Sequence, residues 1–240
     1  MITVSHLTKT YGRRTVVDDL SFDLAPGRIT GFVGPNGAGK STTMKMMVGL
    51  ARPDSGDVTY HGVRYDELAD PARTIGVVLD ARAMHPGRTA RNHLAAMAAM
   101  SSLVPQRVDE VLHVVGLDAA ADQRVGGFSL GMRQRLAIAG ALLGEPEALM
   151  LDEPSNGLDP DGIRWLRGML TDFAAQGGTV FVSSHFIAEL GAFAHDLVVV
   201  GAGRLIAAET LTDTLDRDRS QSLEEILLDL TRDAARYAAA

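Results

Sequence analysis

Cysteine is absent from the 240 residues, which excludes a disulfide framework and a thiolate zinc cluster and makes the reducing cytosol the expected compartment. No apolar run approaches the ~18 residues of a membrane span. The best candidate, Leu136 to Gly144, ends at Glu145-Pro146, and the N-terminus lacks the charged-then-apolar layout of a signal peptide. Direct insertion into a membrane is therefore not expected. Lysine is scarce: of 23 basic residues only Lys9, Lys40 and Lys45 are not arginine. Net positive charge is lacking too. At -7, the chain would repel nucleic-acid phosphates and anionic headgroups. That charge is uneven, because Glu209 to Asp233 holds eight acids against three arginines.

The remaining composition is that of a folded protein. With 46% hydrophobic and 22% charged residues, it excludes a disordered chain, a collagen-like repeat and a coiled coil. The length suits one large domain or two small ones.

The first sixty residues read as short strands and turns, with Ile2–Val4 and Val16–Leu24 of β composition, punctuated by Tyr11-Gly12 and Pro26-Gly27. Arg28–Val33 is a strand candidate leading into a glycine-rich turn and a helix over about Lys40–Leu50. Asp54-Ser55-Gly56 reads as a turn, and Ile75–Leu79 as a strand buried on both faces. The pattern then turns helical, over Thr89–Met100, Pro105–Val115 and Leu130–Leu143. Strands return at Ala148–Leu151, Thr179–Val182 and Leu197–Val200, separated by helical stretches near Gly162–Ala175 and Phe186–Ala194. Strand–helix alternation around apolar strands predicts an α/β fold with a parallel sheet, preceded by a β-rich N-terminal flap and carrying a helical insert.

Gly34-Pro35-Asn36-Gly37-Ala38-Gly39-Lys40-Ser41 fits G-x-x-x-x-G-K-[ST] between an apolar strand and a helix. Backbone N–H groups of such a loop can turn inward around a phosphate, and the helix N-terminus adds partial positive charge. Lys40 would reach the β- and γ-phosphates as a point charge, and the Ser41 hydroxyl would ligate Mg²⁺. Ala148–Leu151 ends in the adjacent acids Asp152 and Glu153. In a phosphate-loop protein an acid at the first position holds the Mg²⁺ ion, and one at the second could polarise a water in line with the γ-phosphate. Taken alone, both acids could simply mark the open end of a strand. Ser129, before an apolar helix, reads on its own as a helix N-cap, and His185 as a structural histidine.

In combination these segments resemble the ATP-binding subunit of an ABC transporter over almost the whole chain. Gly34–Ser41 matches the family's first nucleotide motif and Leu149–Glu153 its second. Phe128-Ser129-Leu130-Gly131-Met132 matches the signature usually written LSGGQ, Ser155-Asn156-Gly157-Leu158-Asp159 the loop that crosses to the dimer partner, and Ser184-His185 the switch histidine. Tyr11 stands where an aromatic ring stacks on adenine. The resemblance implies a P-loop NTPase with a mostly parallel RecA-like sheet, an N-terminal antiparallel β subdomain and a helical signature-motif insert. It also implies an ATPase domain over 1–210 with its insert at about 84–140, and a short acidic helical tail over 211–240.

As cofactors the resemblance implies ATP and Mg²⁺. Tyr11, Gly34, Pro35, Asn36, Gly37, Ala38, Gly39, Lys40, Ser41 and Thr42 would hold the nucleotide. Glu153, His185 and Asp80 would serve catalysis; Ser41, Asp152 and Asp80 would serve the metal. Ser129, Gly131 and Asp159 would complete the site of a second copy in an ATP-dependent homodimer. Two departures stand out. Leu130 replaces the first signature glycine, and Asp80 stands where the family offers Gln or Glu, which makes contact through a water the expected mode.

With no membrane segment of its own, such a subunit would work with a polytopic membrane permease, peripherally on the cytoplasmic face of the membrane, and without nucleic acid. Asp80–His93, with Arg82, Arg88 and Arg91, is either the docking groove for that permease or a solvated loop. This stretch and Ser222–Leu230 are similar to drug- and bacitracin-type export ATPases. Ser222 with Glu225 makes a capping box, and Leu223, Ile226, Leu227 and Leu230 line one helical face, to be packed on the subunit's own core or on a dimer partner. The alternatives are a nucleotide-dependent regulatory module of low turnover and a non-transport ABC ATPase.

Overall fold

Alternation of buried and exposed side chains governs the start of the chain, and a slip in that alternation governs its shape. In the computed structural model, which describes residues 1–184 and 187–237, strand β1 (Ile2–Tyr11) buries Ile2 and Val4 and then Leu7, three residues on. The odd step is a bulge: the pairing register shifts between Val4 and Leu7, and His6 takes a left-handed φ of 51°. Strand β2 (Arg14–Leu24) carries the matching slip at Asp19, whose carboxylate meets the His6 ring at 2.8 Å. The extra residue turns the later apolar side chains of each strand back to the buried face.

Strand β3 (Ile29–Val33) is buried at all five positions and feeds helix α1 (Lys40–Met47). Strands β4 (Ser55–Tyr60) and β5 (Val63–Arg64) complete an antiparallel sheet in the order β2-β1-β4-β5. Ser55, which reads as part of a turn, already pairs with Thr8 of β1, and Gly56 lies in β4 at the register shift between Ser5 and Thr8. The buried Tyr60 hydroxyl donates to the Met47 carbonyl at 2.9 Å and so satisfies one open acceptor at the end of α1. Burial raises the Tyr60 pKa far above the phenol range.

These elements belong to a first unit, Met1–Ala69 together with Leu170–Ala240; the second unit is Asp70–Met169. The second unit runs through α2 (Pro71–Thr74), β6 (Ile75–Val78), α3 (Ala90–Met100), α4 (Arg107–Val114), α5 (Leu130–Leu142) and β7 (Ala148–Asp152). Strands β6 and β7 pair in parallel from Ile75 opposite Ala148. Leu94, Val111, Leu112, Leu136 and Ile138 form the core of its helices. Thr89 caps α3 by accepting the Asn92 N–H at 3.1 Å. Helix α4 starts two residues later than the proline suggests, because Pro105 and Gln106 form a turn.

Helix α6 (Pro160–Ala175) leads back into the first unit, which continues with β8 (Thr179–Ser183), α7 (Ile187–Leu190), β9 (Asp196–Gly201), β10 (Arg204–Thr210), α8 (Leu211–Asp216) and α9 (Leu223–Tyr237). Strand β3 lies between β8 and β9, parallel to both, and β10 pairs antiparallel to β9. Phe22, Phe32 and Phe181 stack with centroids 4.9–5.9 Å apart and tie β2 to the parallel strands.

Ser222 and Glu225 form the capping box at α9, with the Ser222 N–H to Glu225 at 2.7 Å and the Glu225 N–H to Ser222 Oγ at 3.3 Å. Leu223, Ile226 and Leu227 are buried within this single chain, which favours packing of the tail on its own unit. Among the described residues no helix is long and apolar enough to cross a membrane.

Candidate functional site

Strand β3 delivers the chain into the Gly34–Ser41 loop, whose Pro35, Asn36 and Gly37 are exposed while Ala38, Gly39 and Lys40 are buried. The Ala38 N–H closes the turn on the Pro35 carbonyl at 3.1 Å. Gly39 begins α1 from a φ of 101°, and a Cβ there would lie 2.6 Å from the Val16 carbonyl oxygen. Neither the backbone nor the space admits a side chain. The helix therefore opens on bare backbone, where the first N–H groups have no acceptor within the helix and an anion is favoured. Ser41 is exposed and Thr42 half-buried in that first turn.

Lys40 is only 8% exposed, and its Nζ donates to the carbonyl oxygens of Gly34 at 2.6 Å and Pro35 at 3.4 Å. The ammonium is thus folded over its own loop, a buried point charge facing two carbonyl dipoles. Tyr11 closes β1 and pairs across the hairpin with Arg14. The Tyr11 ring is 52% exposed, with the Lys9 ammonium 5.4 Å from its centroid. The Arg14 guanidinium lies 3.8 Å from the space a side chain at Gly37 would occupy. The motif does not name Arg14, which opens β2 directly after Tyr11-Gly12-Arg13.

In the second unit β7 ends at the half-buried Asp152, and Glu153 follows at φ 50°, a left-handed conformation that costs a non-glycine residue roughly 1–2 kcal/mol. Strain of this kind concentrates at functional positions. The Asn156 N–H bonds to the Glu153 carbonyl at 3.2 Å and turns the chain toward Asp159. Asp159 Oδ1 accepts the Gly162 N–H at 2.7 Å, capping α6. Ser129 caps α5, its Oγ accepting the Met132 N–H at 3.2 Å, and remains exposed while doing so. Gly131 is half-buried, and a Cβ there would lie 2.8 Å from the Gly157 carbonyl oxygen.

Asp80 is exposed and engaged by Arg82, from the backbone N–H at 2.9 Å and from Nε at 3.1 Å. Arg91 pairs with Asp109 and, at 3.1 Å, with Asp122. Of the three arginines of this loop, two therefore have acidic partners. The neighbouring His93 is half-buried, its Nδ1 has no hydrogen-bond partner, and its pKa is lowered by desolvation and then by the charge of Arg88. His185 lies outside the described residues.

Among the described residues no group of three or more His, Cys, Asp or Glu could hold a metal ion. The donors that the motifs offer, the Ser41 hydroxyl and the Asp152 carboxylate, are hard oxygens. They suit Mg²⁺, which keeps several waters and takes few ligands from the protein.

A family model described as ABC transporter matches residues 17–156. The bacitracin transport ATP-binding protein BcrA of Bacillus licheniformis is 38% identical over 232 residues, covering 95% of this chain and 76% of that protein. The lantibiotic transport ATP-binding protein SrtF of Streptococcus pyogenes is 33% identical over 226 residues, covering 94% and 95%. A solved structure of an ATP binding subunit of an ABC transporter matches with a TM-score of 0.87 at 28% identity, over 96% of this chain and 99% of that one. With the phosphate loop, the buried Lys40 and the strained Glu153 in its fold, the chain belongs to the ABC transporter family, as an ABC-type ATPase of P-loop α/β architecture.

Proposed function

We propose that two copies of the protein clamp ATP and Mg²⁺ between them and couple hydrolysis to a separate polytopic membrane permease, working peripherally on the cytoplasmic face of the membrane. The direction of transport is export, of a drug, peptide or lipid-like compound, in keeping with the bacitracin and lantibiotic systems of the relatives. The observation that carries the reading is the loop at Gly39: it admits only glycine, and it sets a buried lysine at the start of α1.

In the first unit Lys40 and the backbone of Gly34–Thr42 bind the phosphates, and Tyr11 stacks on the adenine. Ser41 and Asp152 are the residues that would hold an Mg²⁺ ion, which would supply positive charge to offset the negative charge of the β- and γ-phosphates. Glu153 accepts a proton from the attacking water as that oxygen bonds to the γ-phosphorus and the bond to ADP breaks. His185 donates a hydrogen bond to a γ-phosphate oxygen. Ser129, Gly131 and Asp159 of each copy complete the other copy's site, where donors aimed at developing charge act most strongly. Asp80, one methylene shorter than Glu and engaged by Arg82, acts through a water.

The Asp80–Arg82 contact also supports a second reading, a nucleotide-dependent regulatory module of low turnover. Glu153→Gln separates the possibilities. ATP binding and ATP-dependent dimerisation are retained in that variant, while steady-state hydrolysis falls about a hundredfold or more. Undiminished turnover removes Glu153 as the base. A wild-type rate that does not rise in the presence of a membrane subunit favours the regulatory reading.

A further inference from the structure

Leu130 takes the place of the first glycine of the signature pattern in the Phe128–Met132 segment, and the second unit supplies its counterpart. Gly157 lies in the loop that follows Glu153, at φ 80°, and a Cβ built there would fall 2.5 Å from Leu130 Cδ2 and 2.8 Å from Leu130 Cβ. The second of these is an atom next to the backbone, so a rotamer change of Leu130 does not relieve the overlap. The contact is reciprocal: a Cβ at Gly131 would lie 2.8 Å from the Gly157 carbonyl oxygen and 3.6 Å from Leu158 Cδ2. One large residue and two residues without side chains therefore interlock the start of α5 with the loop 156–159. Leu130 is nonetheless 47% exposed, so its size serves this contact rather than a hydrophobic core.

We infer that Leu130 and Gly157 form a size-matched lock that holds Ser129 and Asp159 as one rigid edge, making Leu130 a positioning residue for both groups. The inference rests on the proposed dimer, in which this edge meets the second copy. Ser129 caps α5 and Asp159 caps α6, so each is already fixed to its own helix, and the lock joins the two helix starts. The edge then engages the other copy as a unit, and a widened gap at residue 157 displaces both groups together. Displacements of this order act on turnover more than on binding of nucleotide to a single copy.

The test compares Gly157→Ala, Leu130→Gly and the double variant by ATPase kinetics, by binding of a fluorescent ATP analogue to the monomer, and by ATP-dependent dimerisation in the Glu153→Gln background. Gly157→Ala lowers kcat about tenfold or more, with nucleotide affinity of the monomer unchanged and dimerisation weakened. Leu130→Gly alone also lowers kcat, because it empties the lock, whereas in the double variant the methyl added at residue 157 occupies part of the vacated space and turnover is higher than in Gly157→Ala. A double variant as impaired as Gly157→Ala overturns the inference, since the loss then lies in the left-handed backbone of residue 157. If Gly157→Ala does not fold, recovery of folding in the double variant supports the lock and continued failure overturns it. A Glu153→Gln protein that stays monomeric with ATP overturns the dimer reading instead, whatever the double variant does.

Discussion

The guanidinium carbon of Arg135 lies 4.4 Å from the ring centroid of Trp165, the only tryptophan in the chain, and the same side chain donates to the Val115 carbonyl at 2.9 Å. Arg135 thus joins α5 to α6 and to the end of α4 within the second unit. Arg135→Ala removes a cation–π contact and a hydrogen bond, with an expected loss of about 1–2 kcal/mol. Urea unfolding followed by Trp165 emission measures it. Arg135→Lys retains part of the stability and restores the emission more than Ala does. Identical curves for wild type and Arg135→Ala would show that the pair contributes nothing.

Glu153 combines a functional position with an unfavourable backbone. Comparing Glu153→Gly with Glu153→Ala isolates the backbone, because both lack the carboxylate and therefore both lose turnover. At φ 50° the glycine variant should be more stable than the alanine variant by about 1 kcal/mol. Thermal unfolding of the two proteins decides it. An alanine variant of equal stability means that the turn relaxes when the carboxylate is removed.

His93 makes the second unit sensitive to mild acid. Its pKa is lowered by desolvation and by Arg88, so protonation is costlier in the folded than in the unfolded chain. The folded state binds the proton less tightly, and stability present above the unfolded value near 6.5 falls as pH drops through it and toward the folded value. His93→Gln should flatten the decline between about pH 7 and pH 5. Denaturation midpoints at several pH values provide the measurement, and a decline unchanged by the substitution would assign it to other groups.

Much of the architecture is legible where the signal is local. Strand β3, helix α5 and strand β7 follow from apolar runs, and the capping box of α9 from Ser222 and Glu225 three residues apart. Strand β10 is not legible: Arg204–Thr210 buries only Ala207 and owes its place to hydrogen bonds from β9. The length of β1 is hidden for a different reason, since the bulge at His6 breaks the alternation that identifies a strand. Pairing of Arg91 with Asp109 and Asp122 links residues 18 and 31 positions apart, a distance no local pattern spans. Of the candidate site, the phosphate loop, Asp152 and Glu153 stand in the sequence as motifs. The strain at Glu153 and the engagement of Asp80 by Arg82 do not.

What the sequence determines by itself is the loop Gly34–Ser41, the acids Asp152 and Glu153 where β7 ends and the order of the family's motifs, because each depends on residue types at short fixed spacings. Tertiary structure alone decides that Gly39 faces the Val16 carbonyl, that Lys40 is buried over its own loop and that Leu130 fits against Gly157. The first and the last of these follow from excluded volume between segments far apart in the chain, and a string of residues carries no record of which side chain will occupy the space beside a glycine until the chain has folded.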